Sequence, residues 1–132
     1  MYEAIINMPI GNDEVPSLRV KIGWGAGVQD YPAVFERCNF WVGVRNENGE
    51  LIGFGYVCGM GIVHGYMEDI IVHPDYQNKG IGTKLVKKLL EESVEYGLSI
   101  VTVTFEEKNA KFYKNCGFDI ECGGVHYTGV ID

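Results

Sequence analysis

The chain has 132 residues, 46% of them hydrophobic and 22% charged. That is one domain of ordinary globular composition, and it excludes disorder as a description of the whole chain. No apolar run approaches the roughly 20 residues that a membrane-crossing helix needs. Eighteen Asp and Glu against eleven Lys and Arg leave a net charge of −7. This argues against nucleic-acid binding, where Lys and Arg on phosphates supply most of the affinity, and favours a cationic partner such as an amine. The start, Met1-Tyr2-Glu3-Ala4, has no basic stretch leading into an apolar run, so no secretory signal is expected. Cys38, Cys58, Cys116 and Cys122 form no Cys-x-x-Cys pair and read as reduced thiols of a cytoplasmic protein.

In chain order, Glu3 to Met8 reads as a short strand. Asn12 to Val28 has no clean period, although Glu14 to Lys21 is readable as a helix, and Gly23-Trp24-Gly25-Ala26-Gly27 is a glycine-rich loop. Asp30 is expected to cap a short helix that has Pro32 just inside it and runs to about Cys38. Phe40 to Arg45 and Leu51 to Cys58 read as strands joined at Asn48-Gly49, a two-residue hairpin signal. Gly53, Gly55, Gly59 and Gly61 point to a bulge or to close approach of another backbone. Tyr66 to His73 is a third strand, ended by Pro74. The clearest helix spans about Gly80 to Tyr96, with apolar rows Ile81–Leu85–Leu89 and Val86–Leu90–Val94, and Gly97 as its stop. Ile100 to Phe105 is expected as a strand buried on both faces, Lys108 to Asn115 as a short helix, and Phe118 to Cys122 and Val125 to Ile131 as final strands. The step from Tyr66 to Phe105 is a βαβ unit, which requires one parallel pair in an otherwise antiparallel sheet. The chain therefore reads as a single α/β domain over residues 1–132 with a mixed sheet.

Chemistry concentrates where the third strand runs into the best helix, at Asp75-Tyr76-Gln77-Asn78-Lys79-Gly80-Ile81-Gly82-Thr83. A helix start has free N–H groups and the positive end of the dipole. Gly80 and Gly82 let a phosphate approach the backbone, and Lys79 adds a charge. A glycine-containing turn with no ligand fits the same residues. Neither the Walker-type phosphate loop nor the dinucleotide fingerprint is present.

Gln77-x-x-Gly80-x-Gly82 resembles the Gln/Arg-x-x-Gly-x-Gly/Ala signature of the GCN5-related N-acetyltransferases, the GNAT family. The resemblance extends to Phe112-Tyr113-Lys114-Asn115-Cys116-Gly117-Phe118, which is similar to the family's Phe-Tyr-x-x-x-Gly-Phe segment. Together with element order it covers about Phe40 to Phe118. It implies a GNAT-type fold, a central mixed sheet of about six to seven strands flanked by helices. It also implies acetyl-CoA as co-substrate, with the pyrophosphate on the amides of Gln77, Asn78, Lys79, Gly80, Ile81, Gly82 and Thr83. The pantetheine arm would lie along Ile70, Ile71 and Val72, in a V-shaped gap before the Ile100–Phe105 strand. A backbone N–H near Ile71 or Val72 would stabilise the thioester oxyanion.

The resemblance also implies direct attack by an amine, with Tyr113 as the acid that protonates the departing thiolate. As a plain residue Tyr113 is also a normal amphipathic core aromatic. Glu68 and Asp69 are the candidate bases, being carboxylates in an otherwise apolar strand. Strand alternation sends them to opposite faces, so one is expected in the cleft and the other in solvent or a salt bridge. The family often has Asn seven residues and Ala four residues before the Tyr. Here Glu106 and Asn109 occupy those places, and Asn109 either reaches the CoA arm or simply begins a helix. Trp24, Tyr31 and Tyr66 are candidate acceptor-pocket residues, with core packing as the alternative for each, and Gly23 to Gly27 is read as a flexible lip. His64, His73 and His126 have no metal-ligand spacing, so no metal is expected. The leading reading is an N-acetyltransferase for a small primary amine. A peptide or protein acceptor, or an acyl-CoA-binding regulatory module without turnover, are the alternatives. No nucleic-acid or membrane partner is expected, and a homodimer is an expectation from the resemblance alone.

Overall fold

A computed structural model describes residues 1–130. The sheet has five strands in the spatial order β1-β2-β3-β4-β5. β1 (Ile5–Ile6) pairs antiparallel with β2 (Phe40–Arg45), and the helices α1 (Glu14–Lys21) and α2 (Ala33–Arg37) lie between them in sequence. Asp30 does not cap α2 through its side chain. Pro32 is the cap residue, and Asp30 contributes only its carbonyl, which accepts from Val34 N at 2.8 Å.

β2 and β3 (Leu51–Cys58) form a hairpin whose loop has three residues, Glu47 to Gly49, where two were expected. Asn46 N donates to Glu50 O at 3.0 Å, and Gly49 takes φ +80°. That is the three-residue loop closed by a left-handed glycine. The Asn46 side chain favours it by accepting from the amides of Asn48 and Glu50, each at 2.9 Å.

β4 (His64–Val72) is antiparallel to β3. α3 (Ile81–Tyr96) then crosses over, and β5 (Ile100–Val103) returns parallel to β4, pairing from His64↔Ile100 to Met67↔Val103. α4 (Ala110–Asn115) follows a 3-10 turn at Glu107–Asn109. Among the described residues, no helix is long and apolar enough to cross a membrane.

α3 buries Ile81, Leu85, Val86 and Leu89 against Phe40, Val42, Val44, Ile52, Val57 and Met67. α1 and α2 cover the opposite face, where Val15, Leu18 and Tyr31 meet Leu51, Phe54, Tyr56 and Ile71. Gly53 and Gly55 face α3. A Cβ on Gly55 would lie 2.6 Å from Ile70 Cδ1 and 3.1 Å from Leu89 Cδ1, so there the absent side chain admits neighbouring side chains, whereas at Gly59 a Cβ would lie 2.8 Å from His64 O, the close backbone approach that was expected. Val94, expected in the apolar row, is 73% exposed, and Ser93 is buried in its place with Oγ donating to Leu89 O at 2.8 Å.

Two further expectations fail at the C-terminal side. β5 is the last strand of the sheet, and its residues are exposed or half-buried, with Ile100 51% exposed. Residues 118–130 form no strand, so the sheet has five strands instead of six or seven. β-propensity reflects packing on a neighbouring surface. Phe118 finds one against Tyr113, but Ile120, Val125 and Tyr127 are exposed and have no sheet face beneath them. Ile131, the end of the last expected strand, lies outside the described residues.

Candidate active site

β4 and β5 stay paired only as far as Met67 and Val103. Immediately beyond, the β3–β4 register slips: Tyr56 faces Glu68, yet Phe54 faces Ile71. Two residues, Asp69 and Ile70, therefore oppose the single Gly55. Asp69 adopts φ +51°, the left-handed conformation that a bulge residue tolerates. A bulge bends and twists its strand, and here β4 leaves β5. A cavity of about 230 Å³ opens in the gap, walled by Tyr66 to Ile70 on one side, Val103 to Glu106 on the other, Asn109 and Tyr113 from the α4 side, and Trp24 at the lip.

The bulge overturns the alternation expected for the two carboxylates, since both turn to the α1–α2 face. Glu68 Oε2 accepts from Tyr56 OH at 3.0 Å. Burial raises the Glu68 pKa above the ordinary carboxylate value. The Tyr56 hydrogen bond and the Arg19 charge oppose that rise, and the Asp69 charge adds to it. Asp69 is engaged on both oxygens: Arg19 Nη1 donates to each at 2.8 Å, and Tyr31 OH donates to Oδ2 at 2.6 Å. Burial, then the Asp69 charge, raises the Tyr31 pKa, so its proton stays available to donate. Tyr31 is buried behind Asp69 and does not line the cavity.

Tyr113 is buried at the far wall, stacked on Phe105 with centroids 4.7 Å apart and edge-on to Phe112 and Phe118. Burial pushes its hydroxyl up to about 12, which keeps it neutral and proton-bearing. Tyr66 lines the cavity with its hydroxyl bonded to Thr104 Oγ1. Trp24 and Asn109 also line it, and Asn109 heads α4 without a side-chain cap bond. His64 is exposed and bonded to Thr102 Oγ1 at 2.8 Å, outside the cavity lining.

Of the three strand residues expected along a pantetheine arm, Ile70 lines the cavity, while Ile71 is buried against α1 and α2. His73 N donates to Ile52 O at 2.8 Å. The two-residue period of the strand beyond the bulge then turns the Ile71 amide toward β3 as well, and the Val72 amide toward the open gap.

The loop after β4 begins with a 3-10 turn at Pro74–Tyr76, held by the Asp75 amide donating to His73 Nδ1 at 3.0 Å. Gln77 Nε2 donates to Val72 O at 3.2 Å. Asn78 and Gly80 are both left-handed, at φ +63° and +80°, and lead into α3. The cap residue Gly80 has no side chain, and the first turn carries no acid. The first helical bond recorded here is Lys84 N to Gly80 O at 3.2 Å, so the amides of Ile81, Gly82 and Thr83 lack helical acceptors. This is a cradle suited to an anion. The Ile81 side chain is in the core, so only its backbone faces the loop. Gly82 has a packing reason too: its Cβ would lie 3.2 Å from Phe112 Cζ.

Sequence reasoning missed Arg19 and Tyr56. Both sit on elements remote from the motif; for Tyr56 the only signal was a Tyr in an otherwise apolar strand, and α1, with Glu14, Ser17 and Lys21 beside Arg19, gave none.

Residues 10–118 match the family model described as the Acetyltransferase (GNAT) family. The L-amino acid N-acyltransferase MnaT of Escherichia coli (strain K12) is 27% identical over 114 residues, covering 82% of this chain and 61% of that protein. The chain spans between 32% and 61% of the length of the curated relatives it matches. Among solved structures, a probable acetyltransferase of Staphylococcus aureus superposes with TM-score 0.83 at 21% identity, over 97% of this chain and 99% of that one. An Escherichia coli GNAT-family N-acetyltransferase in complex with CoA superposes with TM-score 0.71 at 19% identity, over 90% of this chain and 70% of that one. With more than half of its length matched by the family model and the fold shared throughout, the chain belongs to the GNAT acetyltransferase family.

Proposed function

We propose that this protein transfers the acetyl group of acetyl-CoA to a primary amine of a small molecule by direct attack in a ternary complex. The observation that carries this reading is the pairing of Glu68 and Tyr113 across one cavity at the point where β4 and β5 part. Burial raises the pKa of each, giving a carboxyl poised toward neutral pH and a phenol that holds its proton.

The free amides of Ile81, Gly82 and Thr83, entered through left-handed Asn78 and Gly80 with no acid in the first turn of α3, fit a pyrophosphate, while the Gln77 amide already donates to Pro74 O at 3.5 Å. The gap-facing amide of Val72 and the cavity-lining Ile70 fit the arm, and acetyl-CoA supplies an activated thioester carbonyl. Glu68 takes a proton from the incoming ammonium. A gap-facing amide stabilises charge on the carbonyl oxygen, and Tyr113 gives its proton to the departing sulfur. The three hydrogen bonds of Asp69 to Arg19 and Tyr31 favour Glu68 over Asp69 as the base. The four free cysteines agree with a reducing compartment. A homodimer belongs to the same proposal: β5 ends the sheet, and the exposed Val125, Tyr127 and Val130 extend without sheet partners.

Calorimetric titration with acetyl-CoA, with ATP and NAD as controls, should give a micromolar dissociation constant, about −8 kcal/mol, for acetyl-CoA alone. No heat with acetyl-CoA would remove the reading at its root.

Tyr113→Phe keeps the stack on Phe105. It should lower kcat by about 10²-fold while acetyl-CoA affinity and melting temperature hold. An unchanged kcat would take the acid's role from Tyr113.

Glu68→Gln should lower kcat by about 10²- to 10⁴-fold and erase the acid limb of the kcat/KM profile, which in the wild type lies above the ordinary Glu value of about 4.3. The sign of the stability effect is opposite. A raised carboxyl pKa contributes stability below the unfolded value that is lost as pH rises through the folded one, so the Gln variant should melt no lower than wild type at neutral pH. An acid limb that survives the substitution would point to another base.

Sedimentation equilibrium should report a dimer for the full chain and a monomer after truncation beyond Phe118. A monomeric full chain would overturn the dimer.

A further inference from the structure

We infer that the acceptor side of the cavity selects primary amines whose remainder carries no carboxylate or phosphate, and that the Arg19–Asp69 pair sets this selectivity. The inference rests on the acetyltransferase reading of the site and adds the class of acceptor.

Among the described residues, the cavity walls carry three carboxylates, Glu68, Asp69 and Glu106, and no Lys, Arg or His. The guanidinium closest to that lining is Arg19, and it is already occupied. Its Nη1 donates to both oxygens of Asp69 at 2.8 Å, its Nε donates to Gly25 O at 2.7 Å, and its Cζ lies 5.5 Å from the centre of the Trp24 ring. Trp24 is tied to the same residue through its backbone, with N donating to Arg19 O at 2.9 Å. Arg19 thus joins α1, the glycine-rich lip and the β4 bulge, and it holds Trp24 at the cavity mouth with its own charge balanced by Asp69.

An ammonium entering this space meets carboxylates. A carboxylate or phosphate on the same molecule meets the half-buried Glu68 and the exposed Glu106 with no cation to offset them, and like charges at close range are disfavoured, most at the less solvated Glu68. Of the remaining lining, Trp24, Tyr66 and Phe105 present aromatic rings that suit a carbon skeleton or a second cationic centre. The acceptors that fit are alkylamines, arylalkylamines, diamines and unphosphorylated amino sugars. Amino acids and sugar phosphates do not fit.

The test uses matched amines with the unmodified protein and acetyl-CoA: phenethylamine against phenylalanine, cadaverine against lysine, and glucosamine against glucosamine 6-phosphate. Thiol release should favour the anion-free member by at least tenfold in kcat/KM in every pair that turns over. Equal or reversed preference would overturn the inference. If none of the six turns over, ligand-observed NMR on the CoA-loaded protein reads the same preference. Binding by anion-free members alone supports the inference while the transfer reading fails. Binding by the acidic members, or by none, overturns it. Asp69→Asn leaves the Arg19 charge unbalanced beside the cavity and should narrow the wild-type preference severalfold. An unaltered preference in a folded D69N protein would take the role from this pair, and an unfolded variant leaves the decision to the wild-type panel.

Discussion

The site depends on one local misfit between neighbouring strands. Two residues of β4, Asp69 and Ile70, stand against the single Gly55 of β3. A regular strand would have kept pairing with β5 past Met67 and closed the gap. The misfit is held in place from both faces. On one, Asp69 is gripped by Arg19 and Tyr31. On the other, Ile70 fills the space that Gly55 leaves empty, its Cδ1 2.6 Å from where a Cβ would sit. A part-buried ion pair contributes little net stability when desolvation is counted, so the significance of Arg19–Asp69 is geometric: it fixes a left-handed Asp where the chain must bend.

The same bend gives the two adjacent carboxylates different surroundings. They share a face, which alternation would have forbidden, but their partners differ. Asp69 has a cation and a phenol, whereas Glu68 has only the Tyr56 hydroxyl and is left desolvated. A carboxylate with both oxygens hydrogen-bonded is fixed in place, while a desolvated one exchanges its proton closer to neutrality. Tyr113 arrives on the opposite wall because Phe105, Phe112 and Phe118 surround its ring and leave its edge to the cavity.

α3 serves two ends of the molecule at once. Its apolar stripe of Ile81, Leu85, Val86 and Leu89 anchors the sheet. Its uncapped start, entered through left-handed Asn78 and Gly80, leaves amides facing the loop. Burial of the stripe, about 1.5–3 kcal/mol per large side chain, makes it possible to leave the helix start without a cap. Phe112, which packs against Gly82, ties α4 to that same turn, so the cradle and the wall bearing Tyr113 are parts of one packed unit.

Much of this was legible in the residues. Apolar period and glycine stops marked β2 to β4, α3 and α4, and the Gln77-x-x-Gly80-x-Gly82 spacing with Phe112-Tyr113 located the loop and the wall. These features are local, since period, turn chemistry and helix ends act within a few residues. Local rules failed wherever the outcome depended on a distant partner. The final strands do not form, because strand propensity needs a surface beneath it. β5 is not buried on both faces: its residues stay exposed or half-buried, with Ile100 51% exposed. Asp69 and Glu68 share a face because Gly55 on another strand is one residue short. Arg19, some 50 positions away in sequence, decides which carboxylate is free. By itself the sequence determined the elements and the motif. Only the tertiary structure decided the bend, the charge pairing and the shape of the cavity, because each is set by contacts between residues far apart along the chain.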